Sequence, residues 1–122
     1  MSKLDMTEFI RSTFRSVWTL ELLLLMAEDR EKLWSESDLI ASLRASEVIV
    51  ARGIEDLVAA GLISIEADRC ARYGPASREL DLLVVRTRDF YATSPDQVRR
   101  TIVRAGSGGI AAFADAFRIR KD

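Results

Sequence analysis

With 122 residues, nearly half of them apolar and 30% charged, the chain is long enough for one domain with a real core and too apolar for a disordered tail. The absence of histidine and the single cysteine, Cys70, exclude imidazole chemistry, the usual zinc clusters and an intrachain disulfide. The expectation is a non-enzymatic protein with no catalytic residues, metal or cofactor. Net charge is only −1, yet residues 1–68 carry 7 basic and 13 acidic side chains and residues 69–122 carry 11 basic and 6 acidic ones.

The longest apolar run, Leu22 to Ala27, is far short of the roughly 20 residues that span a bilayer. Acidic residues sit where a signal peptide would be apolar, and a lone cysteine suits a reducing compartment. A cytoplasmic location without membrane contact is therefore expected.

In chain order, Asp5-x-x-Glu8 marks the start of a first helix near Met6, continuing through Val17 to Glu28. The stretch from Val17 is apolar almost all the way round, which implies burial on both sides. Trp18, Leu22, Leu25 and Met26 share one side and are assigned to a homodimer interface. Ser35-x-x-Asp38 opens a short helix through Arg44, with Leu39, Ile40 and Leu43 inward. Arg44-Ala45 is a tight connection. Ser46 caps a further helix running to Ala60, and Gly61 sits where a left-handed terminator belongs.

Leu62 to Glu66 alternates with period two and reads as a strand; Asp68-Arg69 makes a turn, and Cys70 to Tyr73 a short return strand. Pro75 and Ser77 start another helix to about Ala92, carrying Leu80, Leu83, Val84, Thr87 and Tyr91 at helical spacing. Ser94-Pro95-Asp96-Gln97 is the clearest helix start, and that helix ends near Ala105. Gly106-Ser107-Gly108-Gly109 reads as a hinge. A final helix then carries Ile110, Phe113 and Phe117 on one stripe, also assigned to the dimer interface, before the charged residues Arg118 to Asp122. The fold class is mainly α with a small β-hairpin, α+β, in one domain.

At Leu57-Val58-Ala59-Ala60-Gly61-Leu62-Ile63 the helix ends on a glycine and runs straight into a strand. Together with the helix, helix, tight turn, helix, hairpin order, this stretch resembles the recognition helix and wing of MarR-type and related winged helix-turn-helix regulators. The resemblance covers residues 17–73 as a winged-helix core, with residues 74–122 as C-terminal helices of the kind such regulators use to dimerise. It implies a dimeric transcriptional regulator that binds double-stranded DNA, placing the helix from Ser46 in the major groove and the hairpin against backbone or minor groove.

Carried over by position, the DNA-facing residues would be Ser46, Glu47, Val48, Ile49, Ala51 and Arg52, with Glu55 and Asp56 on the same face and Arg69 and Arg72 on the wing. Val50, Ile54, Leu57 and Val58 would face inward. That outward face carries one arginine against three carboxylates, whereas DNA affinity comes largely from neutralising phosphates. Basic residues are richer further on, at Arg86, Arg88, Arg99, Arg100 and Arg104. The alternative is a winged-helix adaptor that contacts a protein partner and does not itself read DNA. Trp18 and Trp34 read as core or interface, and Cys70 as a passive thiol unless Arg69 and Arg72 lower its pKa.

Overall fold

The computed structural model describes residues 3–105, with side chains from Met6 onward. Its elements are α1 (Lys3–Thr13), α2 (Val17–Glu28), α3 (Glu36–Leu43), α4 (Glu47–Ala59), β1 (Ile63–Ile65), a 3-10 turn (Ala67–Arg69), β2 (Ala71–Tyr73) and α5 (Arg78–Thr93). A further helix, α6, occupies residues 95–105. The described part is thus mainly helical with one small antiparallel sheet. Ile110, Phe113, Phe117 and the 106–109 glycine segment lie outside the described residues.

One local device starts four of these helices. The hydroxyls of Ser16, Ser35, Ser46 and Ser77 accept from the backbone N–H of Thr19, Asp38, Ile49 and Leu80, at 3.3, 3.1, 3.2 and 3.1 Å. Each bond satisfies an amide that the first helical turn leaves open and contributes about 1 kcal/mol. The caps at Ser35, Ser46 and Ser77 are where the sequence places them. Ser16 corrects the expectation of one helix from Met6 to Glu28: α1 begins at Lys3, so Asp5 lies within it, and the chain breaks between Thr13 and Val17. Buried Phe14 sits in that break.

The core is organised around α2, which buries Leu20, Leu22, Leu23 and Met26. Ile10 and Phe14, Leu39, Val50 and Leu57, and Val84, Val98 and Ile102 bring α1, α3, α4, α5 and α6 into the same cluster. The apolar circumference of α2 is therefore largely covered by this chain's own helices. Leu22 and Met26 are 1% and 0% exposed, which removes them from any dimer interface. Trp18 is 40% exposed and Leu25 half-buried, so a partner can still reach those two.

On α4, Gly53 faces Leu22 of α2 closely. A Cβ added there would lie 2.7 Å from Leu22 Cδ2, so only glycine fits without a shift. At the other end of α4, Gly61 has φ +75° and turns the chain into β1.

In the hairpin, Ile63 pairs with Tyr73, Ser64 with Arg72 and Ile65 with Ala71. Outside these strands, Trp34 exchanges two backbone hydrogen bonds of 2.8 Å with Ala71, adding a one-residue third rung between α2 and α3. The base of the hairpin is fastened to α5 by Asp81. Its carboxylate accepts from the Tyr73 hydroxyl at 2.8 Å and from the Arg30 guanidinium at 3.1 Å. Arg30 first, then Tyr73, holds the Asp81 carboxyl below its usual range. Burial, followed by the Asp81 bond, pushes the Tyr73 hydroxyl up.

No helix among the described residues is long and apolar enough to cross a membrane. Also among the described residues, no three His, Cys, Asp or Glu side chains are grouped so as to hold a metal ion.

Candidate functional site

The surface to which the sequence assigns recognition is the outer side of α4 with the turn before it and the hairpin after it. Its rotational setting follows from Gly53. At about 100° per residue, Leu57 and Val50 lie within about 60° of Gly53, and all three are buried. Val48, Ala51, Glu55 and Val58 fall about 140–160° away and form the centre of the outer stripe.

This phase corrects two assignments. Val58, expected inward, is 40% exposed, and Ile49, expected outward, is half-buried beside Trp18. Ile54 is half-buried and packs against the core, on the inward side where the sequence puts it. Val48 is 62% exposed, the most open large apolar side chain described. Glu47, Arg52 and Glu55 are exposed, and Ala51 is half-buried. The centre of the outer face is thus two valines and a glutamate, with Glu47 and Arg52 at its flanks.

A cleft of about 550 Å³ runs between α4 and the start of α2, lined by Arg15, Ser16, Trp18, Ile49, Arg52 and Asp56 among others. Trp18 offers its indole there. Arg15 reaches Asp56 at 3.8 Å but is 85% exposed, so the pair contributes little to stability. Its charges balance, because Glu55 lines the cleft as well as Asp56.

The two hairpin arginines differ sharply. Arg72 donates to Glu66 Oε1 at 2.7 Å, and Ser64 donates to the other oxygen of the same carboxylate at 2.8 Å. Ser64 first, then Arg72, holds the Glu66 carboxyl below its usual range. Arg72, expected on sequence to meet DNA from the wing, therefore has its charge matched within the hairpin. Arg69 stays exposed at the tip.

Asp68 and Arg69 both adopt left-handed backbone, at φ 60° and 61°, as does Arg44 at φ 55° in the turn between α3 and α4. For a residue other than glycine this conformation costs on the order of 1 kcal/mol. Two of these positions thus present an exposed arginine on a tight bend where glycine would be easier. Arg44 did not figure among the sequence candidates. A tight Arg-Ala connection between two helices was the signal that could have marked it.

Of the arginines further along the chain, three have placed neighbours. Arg99 lies over the Tyr91 ring at 5.5 Å and within 3.9 Å of Asp96, while Arg88 is 3.7 Å from Asp89. Arg104 lines a separate cleft with Thr7 and Arg11 between α6 and α1. Half-buried Cys70 places its Sγ 3.9 Å from the Asp68 carbonyl.

No family model, curated protein or solved structure matches the chain.

Proposed function

We propose that the chain is a winged-helix domain that works in gene regulation by contacting a protein partner through the outer face of α4 and the adjoining hairpin. The succession of α2, the Trp34 rung, α3, a tight turn, α4 and a hairpin supports the winged-helix reading. In it α3 and α4 form the helix-turn-helix, and β1 and β2 the wing. The observation that carries the functional reading is the composition of the α4 outer face: exposed Val48 and Val58 around Glu55, with Arg52 as its one cation.

Such a face suits a partner with apolar and basic groups. It suits DNA poorly, because binding to a duplex draws on several phosphate-neutralising cations and each carboxylate adds repulsion. Arg72 supplies no free charge to offset this, being matched by Glu66.

A second reading, a dimeric regulator that binds DNA directly, is favoured by one observation. Arg44, the Ser46 end of α4 and Arg69 all sit at exposed bends or helix starts, where a phosphate backbone would meet positive charge and open amides. The dimer in this reading would use Trp18 and Leu25, with Ile110, Phe113 and Phe117.

One pair of measurements separates the two. Tagged protein is purified from its native host as wild type and as Val48→Asp, and both are titrated with random duplex DNA at low salt. The protein-contact reading expects a stoichiometric protein that is lost with Val48→Asp at unchanged melting temperature, and no DNA shift. A low-salt shift that disappears on Arg44→Ala or Arg69→Ala, with no partner protein, overturns it in favour of direct DNA binding.

A further inference from the structure

Further along α2 than the Trp18 cleft, a groove of about 330 Å³ opens between α2, the end of α3 and the second half of α5. Leu24, Leu25, Leu43 and Tyr91 form its apolar walls, and Glu21 and Glu28 stand on the α2 rim with Arg88 opposite. Both leucines belong to the run that makes α2 apolar all round, and they are left half-buried where the other helices stop covering it.

We infer that this groove is the docking site of the chain's own residues 110–117, held by Ile110, Phe113 and Phe117. Three observations converge on that occupant. First, Ile110, Phe113 and Phe117 are spaced as one helical face, two turns or about 10 Å long. Glu21 and Glu28 bracket Leu24 and Leu25 over the same seven-residue interval of α2, so stripe and groove match in length.

Second, the segment is within reach. Arg99 of α6 lies over Tyr91, a wall of the groove. Ala105 is six residues further along α6, about 9 Å at 1.5 Å per residue. The four residues from Gly106 to Gly109 span up to about 14 Å when extended, enough to return the chain to the groove. Third, the charges are complementary. Arg118, Arg120 and Lys121 follow Phe117 directly, and the α2 rim they would meet carries Glu28 together with Glu21, which also accepts from the Tyr91 hydroxyl at 3.3 Å. Within a Debye length of about 8 Å such a pairing orients the segment even at physiological salt.

The docking covers apolar surface of α2 that the rest of the fold leaves open. It also removes Leu25 and the C-terminal aromatics from the surface available to a second copy.

The test uses the full chain with a nitroxide attached through Ala114→Cys in a Cys70→Ser background, so the folded core is untouched by the label. Methyl signals of Leu24, Leu25 and Leu43 are recorded with the label oxidised and reduced, using Ile63 and Ile65 in the hairpin as references. Docking within the chain predicts that the three leucine signals are lost in the oxidised state while the hairpin methyls persist. A second sample mixes spin-labelled chains of natural isotope content with isotope-labelled chains that carry no nitroxide. Loss of the leucine signals there means that a second copy's tail fills the groove and overturns the proposal. Leucine signals that persist in both samples overturn it as well, since the groove is then empty of this segment.

Discussion

The two sides of α4 follow different rules. Toward α2 it presents buried Val50, Gly53 and Leu57, the glycine leaving room for a Leu22 methyl. Away from α2 it presents Val48, Glu55 and Val58, with Arg44 held in left-handed backbone just before the helix begins. The inner side is what burial and close packing demand. The outer side leaves two valines open to solvent, and Arg44, in the turn before the helix, departs from backbone preference. Residues that make the fold and residues proposed to meet a partner are therefore separable on one helix. The hairpin repeats the division: at its base Asp81 ties Tyr73 and Arg30 together, and near its tip Arg72 and Glu66 engage only the hairpin itself.

The division is broken most directly from the inside. Leu57→Ala removes a fully buried side chain touching the α2 core and is expected to lower stability by about 3 kcal/mol, within the 2–5 kcal/mol range of such truncations. Denaturant unfolding measures it; a loss below about 1 kcal/mol would place Leu57 outside the cooperative core. Gly61→Val comes next. At φ +75° a β-branched residue is strained, and its Cβ would stand 3.3 Å from Ala76 Cβ, so a loss of about 1–2 kcal/mol is expected. A melting temperature equal to wild type would show that the helix-to-strand junction does not depend on this conformation.

Asp81→Asn probes the base of the hairpin with a smaller effect. The folded carboxyl lies below its unfolded value because of Arg30 and then Tyr73. Its contribution is therefore present above the unfolded pKa of about 3.9 and lost as pH falls through the folded value. The Asp81 side chain is 34% exposed and Arg30 47%, so solvent screening limits the contribution to under about 1 kcal/mol. Thermal melts should show wild type above Asp81→Asn at pH 7, with the gap closing as acid protonates Asp81. A gap that persists undiminished in acid would mean that the asparagine disturbs packing and that charge is not involved.

The local signals on both sides were legible in sequence. Ser35, Ser46 and Ser77 precede helices because a short hydroxyl fits the open amides, and Gly61 ends α4 because glycine tolerates positive φ. What escaped was set by contacts between elements. Hydropathy places Val58 inward, but the inward direction is centred on Gly53, which hydropathy does not mark, and Val58 lies about 140° from it. Nothing local shows that Trp34 will bond across to Ala71, or that Leu22 and Met26 will be covered by this chain's own helices rather than by a partner's. On the candidate surface, Arg72 was read from its charge alone, and Glu66 lies six residues earlier but only 2.7 Å away.

The smallest expected effect is also the one that sharpens the division most. Arg44→Gly relieves a left-handed residue that costs on the order of 1 kcal/mol, while the greater freedom of glycine in the unfolded chain returns part of that gain. A net stabilisation of about 0.5 kcal/mol is expected, read as a small rise in melting temperature. A fall would mean that the arginine stem packs on the fold, which would move Arg44 to the structural side. If the variant is more stable and also loses its partner, stability and recognition will have been changed in opposite directions by one residue. That result fits only a side chain kept at this bend for what it touches outside the chain.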